Sequence, residues 1–295
     1  MNSIITNINT YRKFLSRNKL YTAVTIIGFA ISISLVILIA CHVHHEFSMD
    51  NFHSKKDRIK TVVSENSTTF PNKLADYIKD RCPEVDYYTR VYTEKHTIKP
   101  ISGESYIAKI MFAEHNFFDM FDFELKEGNT EEALSLRSTV LLSEAMANKE
   151  FGKRNPTGES VIIDDISYKV TGIFKNFPKN TQFNQPDYIV SYSSLDNTRD
   201  DDILNSWNNA SYNIFFLEKE NTNFKAKEKS ILEGLKKDYF SYEKGWNKEF
   251  KIIPLKELYF HPIKYQYETT KSNNLTTVII YLGIVFLILT VAILN

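Results

Sequence analysis

Five side chains early in the chain are of the types that bind metal ions: His42, His44, His45, Glu46 and His53. On a helix His42, His45 and Glu46 fall at i, i+3 and i+4 and so share a face. A metal site also needs ligands held in fixed geometry by an outer layer of bonds, and this cluster stands where an apolar stretch gives way to polar residues. It reads as a polar interface, and no metal is expected. Asp164 and Asp165 are adjacent, which on a strand sends them to opposite faces, so they suit a turn better than a catalytic pair. Asp200, Asp201 and Asp202 lack the spacing of a calcium loop and suit the cap of a helix beginning at Ile203. No Gly-x-x-x-x-Gly-Lys-Ser/Thr loop is present to cradle phosphates, and neither Gly-x-Ser-x-Gly nor His-Glu-x-x-His occurs. The reading is therefore of a chain with no catalytic residues and no cofactor, in which any use of ATP falls to a partner.

The framework that positions these residues is set by hydropathy. Tyr21 to Cys41 carries no charge, and neither does Leu275 to Leu294. Each stretch is about the 20 residues that a helix needs to cross a bilayer. Arg12, Lys13, Arg17 and Lys19 precede the first stretch with no acid among them, so the positive-inside rule puts the N-terminus in the cytoplasm. The expected organisation is a cytoplasmic amphipathic helix at 1–20, a membrane helix at 21–42, an extracytoplasmic domain at 43–274 and a second membrane helix at 275–295. Ile4, Ile5, Ile8, Tyr11 and Leu15 form the apolar stripe of the first helix, and its basic residues suit anionic lipid. Leu38-Ile39-Ala40-Cys41 has the look of a lipidation signal, but its apolar core is longer and ends later than a signal peptide's, so a spanning helix is preferred. Gly28 and Ser32 make a small-xxx-small pair of the kind that admits a neighbouring helix.

The chain holds 43% hydrophobic and 14% aromatic residues at a net charge of zero. That supplies a core for the middle segment and gives no basic footprint for nucleic acid. Cys41 and Cys82 are the only cysteines, and they imply no disulfide framework. Patterning predicts strands at Arg58–Glu65, Val85–Ile98 (one or two), Tyr106–Phe112, Thr139–Leu142, Ser211–Glu218 and Phe250–Leu255. It predicts helices at Pro71–Arg81, at Phe117–Phe121 as a single turn, after a Ser143 cap as far as Phe151-Gly152, and at Phe224–Phe240. Val161 to Phe174 reads as a hairpin turning at Asp164-Asp165.

Several segments together carry a family resemblance. Asn18-Lys19-Leu20-Tyr21, Gly28-Phe29-Ala30-Ile31, Glu46-Phe47-Ser48-Met49-Asp50-Asn51-Phe52-His53 and Asp57-Arg58-Ile59 open the series. Phe117-Phe118-Asp119-Met120-Phe121, Val140 through Phe151-Gly152 to Pro156-Thr157-Gly158, Tyr168 to Gly172 and Pro178-Lys179-Asn180-Thr181 continue it in order. The whole resembles ABC transporter permeases of the MacB/FtsX type, as they occur in Bacteroidetes. Lys60 and Thr61 depart from the family's usual aromatic and arginine after Ile59. The chain also stops at Asn295, where the family continues into further membrane helices.

The resemblance implies an α+β domain between two transmembrane helices, with a porter-like α/β part and a mostly β insert at roughly 99–200. It implies a permease subunit in the inner membrane that transmits ATP-driven motion from a separate cytoplasmic ATPase to a periplasmic domain, for export or for extraction of an envelope substrate. The partners implied are that ATPase, a second permease copy or half, membrane lipid, and a periplasmic adaptor with an outer-membrane channel. Force transmission demands a stiff junction between span and domain, and Glu46, Phe47, Met49, Asp50, Phe52 and Arg58 are its candidate residues: Phe47, Met49 and Phe52 to pack on the domain base, the charged three for bonds at the membrane edge. The competing reading is a two-span sensor with an extracytoplasmic ligand-binding domain.

Overall fold

The computed structural model describes residues 15–65, 67–100, 104–197, 206–262 and 269–294. The expected surface helix therefore lies mostly outside the described residues, as does the expected cap at Asp200–Asp202. The chain divides into two compact units, one of residues 1–48 and 274–295 and the other of residues 49–273. In the first, helix α1 (Lys19–Phe47) extends the expected span at both ends, and the closing helix is Leu275–Leu294. Both are apolar all round, with Leu20, Ile26, Leu38, Phe286 and Leu294 all exposed. A helix of that kind is stable where lipid covers it. Among the described residues nothing lies within 4 Å of a Cβ added at Gly28, and Ser32 donates its hydroxyl to the Gly28 carbonyl at 2.9 Å.

The second unit is built on one continuous sheet. Its strands are β1 (Ile59–Val63), β2 (Val85–Lys99), β3 (Tyr106–Ala113), β4 (Leu125–Glu127), β5 (Thr139–Ser143), β6 (Ser160–Ile163), β7 (Ile166–Phe174), β8 (Tyr188–Ser191), β9 (Asn213–Glu218) and β10 (Lys251–Pro254). They run in the order β10-β1-β9-β2-β3-β8-β5-β7-β4, and β6 bridges β7 back to β2. That bridge closes β2, β3, β8, β5, β7 and β6 into a ring, which removes the open edges those strands would otherwise present. The single long β2 belongs both to the ring and to the open sheet of β9, β1 and β10. The ring joins β2 to strands of the segment 99–200, where the mostly β insert is expected.

Both faces of the sheet are covered. Ile110 and Phe112 join one buried cluster while Met111 and Ala113 join the other, and Phe216 and Phe215 divide in the same way. Strands buried on both sides read as unbroken apolar runs instead of alternating ones, as Thr139–Ser143 and Asn213–Glu218 do. Helix α2 (Lys73–Arg81) packs on the first face, and α3 (Phe117–Met120) opens a phenylalanine-rich turn on the second. Helix α4 (Glu144–Phe151) is capped as expected, with Ser143 accepting the Met146 N–H at 3.3 Å. The helix expected at Phe224–Phe240 is broken: a 3-10 turn at Phe224–Lys227 leads into α5 (Glu228–Asp238), and Tyr239 is extended before α6 (Phe240–Glu243). Tyr239 leaves the helix to bury its ring against Trp207. A short α7 (Leu255–Leu258) follows β10, and α8 is the closing apolar helix.

The departures after Ile59 are accommodated. Lys60 lies 3.4 Å from Glu218, and the buried Thr61 hydroxyl donates to the Ile214 carbonyl at 2.9 Å. Asp164 and Asp165 form the hairpin turn with φ of 45° and 70°. The Asp164 carboxylate also accepts from His96 and the Thr97 N–H. Burial alone would raise its pKa, but these bonds hold it below the usual carboxylate range. Cys82 is buried, which pushes its thiol up to about 11.

Where β4 meets β7 the backbones nearly touch. A Cβ at Gly172 would sit 2.3 Å from the Glu127 carbonyl oxygen, and Gly128, just past the facing strand, has φ 103°. Substituting Gly172→Ala forces the strands apart, and overpacking of this kind costs about 1–3 kcal/mol. Urea unfolding should show a lower midpoint for this variant, whereas Gly158→Ala, with no neighbour within 4 Å, should be affected only through its positive φ of 93°.

Candidate membrane–domain junction

Helix α1 ends at Phe47, and the Ser48 N–H closes it on the His45 carbonyl at 3.1 Å. Two residues later Asp50 turns the chain with φ 54°, a conformation that Asp tolerates better than most residues. Its N–H donates to the Asn180 carbonyl at 2.8 Å. Its carboxylate accepts the Thr181 hydroxyl at 2.5 Å and the Gln182 N–H at 3.3 Å. Asp50 is only 2% exposed, so its charge is matched inside the protein and not by water.

His53 supplies the second fastening. Its Nδ1 accepts the Asp122 N–H at 3.0 Å, which leaves the ring proton on Nε2, 3.5 Å from an Asp50 oxygen. The ring lies among Phe52, Phe121 and Phe123, with centroids 4.1, 5.1 and 5.1 Å away. Ser54 then donates through its N–H and its hydroxyl to the Asp122 carboxylate. Lys55 reaches the Asp119 carbonyl at 2.5 Å and the Tyr87 hydroxyl at 3.3 Å. Arg58 ends the run, with Nε on the Glu218 carbonyl at 2.9 Å and its guanidinium 3.1 Å from Glu220. Charge-assisted bonds of this sort are worth about 1.5–3 kcal/mol each when buried, and those at the exposed rim much less.

Three segments singled out in the sequence therefore meet here: Glu46–His53, Phe117–Phe121 with Asp122, and Pro178–Thr181. Of the proposed junction residues, Met49 is buried and Phe52 packs partly buried on the phenylalanine cluster. Phe47 is 49% exposed. Glu46 is buried and lies 3.8 Å from His42 on its own helix. Asp50, expected to bond at the membrane edge, makes its bonds inside the domain. His53, one of the metal-binding residue types, has a backbone N–H and phenylalanine rings around it. Among the described residues no three His, Cys, Asp or Glu side chains converge on a metal position.

Asp50, His53 and Thr181 are residue types found in nucleophilic triads, but the arrangement is wrong for chemistry. The hydroxyl donates to the carboxylate and not to the imidazole, and all three side chains are buried. What the trio can do is hold: it pins residues 49–58 to two separate loops of the domain.

The profile of the MacB-like periplasmic core domain matches residues 22–234. The chain belongs to that family. It is the domain of ABC transporter permeases of the MacB/FtsX type, and the two apolar helices on either side of it fit an inner-membrane protein. Among solved structures, a domain assigned to a permease protein of Porphyromonas gingivalis is 19% identical with a TM-score of 0.57, over 77% of this chain and 98% of that one. The periplasmic region of MacB from Actinobacillus actinomycetemcomitans is 18% identical with a TM-score of 0.48, over 69% and 91% of the two chains. The extracellular domain of the noncanonic ABC-type transporter YknZ from Gram-positive bacteria is 15% identical with a TM-score of 0.47, over 66% and 99%. At such identities the likeness is one of fold. No curated protein sequence matches the chain.

Proposed function

We propose that this MacB-like chain is the permease subunit of an ABC transporter that couples ATP hydrolysis in a separate cytoplasmic ATPase to movement of its periplasmic domain. The observation that supports this reading best is the fastening of residues 49–58. Asp50 and His53 tie the segment that leaves α1 to the Asp122 and Asn180–Gln182 loops, so a displacement arriving along the chain reaches the core without passing through a slack linker. The domain carries no nucleotide loop, and in this reading the energy-yielding step falls to the partner. A second permease copy or half, and an adaptor with an outer-membrane channel, complete the proposed assembly. The moved substrate is an envelope component, exported or extracted.

The proposed topology has a direct test. In a background with Cys41→Ser and Cys82→Ala, an impermeant maleimide should label Ser135→Cys, an exposed position of the domain, from outside the inner membrane. Ser3→Cys should label only after permeabilisation. The opposite pattern would place the domain in the cytoplasm and end the permease reading.

A further inference from the structure

The chain has two tryptophans, Trp207 and Trp246, and both belong to one run of rings far in sequence from the junction. Trp207 meets the edge of Tyr77 at 5.5 Å and stacks on Tyr239 at 5.0 Å and 19°. Tyr239 touches Phe240 at 5.4 Å, and Phe240 meets Trp246 at 5.5 Å. Trp246 is 67% exposed. Beside Trp207 a groove of about 540 Å³ runs between α2 and α5, within the size range of small-ligand sites.

The floor of this groove is built by a specific packing choice. The Tyr77 hydroxyl occupies the space over Gly234 in α5, where a Cβ would lie 2.1 Å from it. Glycine inside a helix costs about 1 kcal/mol against alanine, and here it lets the tyrosine settle between the helices. Arg81 lies 3.7 Å over the centre of the Tyr77 ring. One wall carries Lys73, Asp76, Asp80 and Arg81 from a single face of α2, and the other carries Lys237 and Asp238 from α5. Arg81 and Asp238 approach to 3.9 Å, and Asp76 is engaged by Tyr88 and Arg90. Among the described residues, Asp80 and Lys237 have no ion pair or side-chain hydrogen bond, and Lys73 faces the Trp207 ring at 5.7 Å.

This lining selects a ligand chemistry. Three carboxylates and three cations sum to zero, so an anion would meet the aspartates and a cation the lysines and arginine. An apolar ligand would cover charged ends without satisfying them. A hydroxyl both donates and accepts, so a neutral polyol answers carboxylate and ammonium together, while its C–H face can lie against the half-exposed Trp207 ring. A peptide backbone also donates and accepts, but both walls are helices with no free strand edge on which it could form a ladder. We propose that the groove between α2 and α5, with Trp207 in its lining, is a binding site for a neutral carbohydrate chain.

Because Trp207 lines the groove, the chain's intrinsic fluorescence reports on it. The full chain, in a detergent without a sugar head group, would be titrated with chitotetraose, with maltotetraose and with a Gly-Ser tetrapeptide. A saturable emission change is expected with a saccharide and none with the peptide, and the better of the two sugars distinguishes an amino-sugar chain from a glucan. Asp80→Ala and Lys237→Ala should each weaken binding by about tenfold, the effect of one lost polar contact. Their thermal midpoints should match the parent's, since both side chains are exposed. No saturable response to either sugar, undiminished binding in both variants, or saturation by the peptide alone would overturn the assignment.

Discussion

Replacing Asp50 by alanine should be among the most damaging single substitutions in the domain. The change strands the Thr181 hydroxyl and the Gln182 N–H inside the protein. It also places alanine at φ 54°, a conformation costing about 1–2 kcal/mol for an ordinary L-residue. Leaving a buried donor without its acceptor costs about 1–3 kcal/mol, and two of them together with the turn lower the melting midpoint of a domain of this size by roughly 10 °C. Asp50→Asn keeps an acceptor for Thr181 and tolerates the left-handed backbone, so its loss should be clearly smaller. Thermal unfolding of the two variants side by side checks the order. Equal midpoints would show that the acceptor for Thr181 and the left-handed turn contribute nothing.

The second large effect is expected on coupling. A six-residue Gly/Ser insertion between Ser48 and Met49 leaves every bond of Asp50, His53 and Arg58 in place, because all of their partners lie within residues 49–273. Such a linker behaves as a flexible coil. The domain should keep the parent's unfolding midpoint, and the permease should still assemble with its ATPase, while transport falls to background. Retained transport would show that movement does not pass through this junction.

Much of the fold could be read from local signals. The Ser143 cap, the two-aspartate turn and both apolar spans follow from residue type and short-range spacing alone. What could not be read depends on distant partners. Leu125–Glu127 and Tyr188–Ser191 are too short to declare themselves, and β8 exists because β3 and β5 flank it. Closure of the ring through β6 is likewise invisible until Ile98 is seen beside Ile163. At the junction the sequence offered the segment but not its partners. Asp50 bonds to residues about 130 positions away, and no periodicity reports such a pairing. The one available hint was that Pro178–Thr181 and Glu46–His53 both belong to the family pattern, which the structure explains by bringing them together.

The central claim is that nucleotide state in the cytoplasm moves this domain with respect to the membrane. It is tested most directly by energy transfer from a dye on Ser135→Cys to acceptors in the bilayer, with the permease reconstituted with its ATPase. Transfer should differ between the nucleotide-free complex and one trapped with ATP by a hydrolysis-deficient ATPase, and the difference should vanish with the Gly/Ser insertion. Identical transfer in the two nucleotide states of the uninterrupted protein would contradict the account.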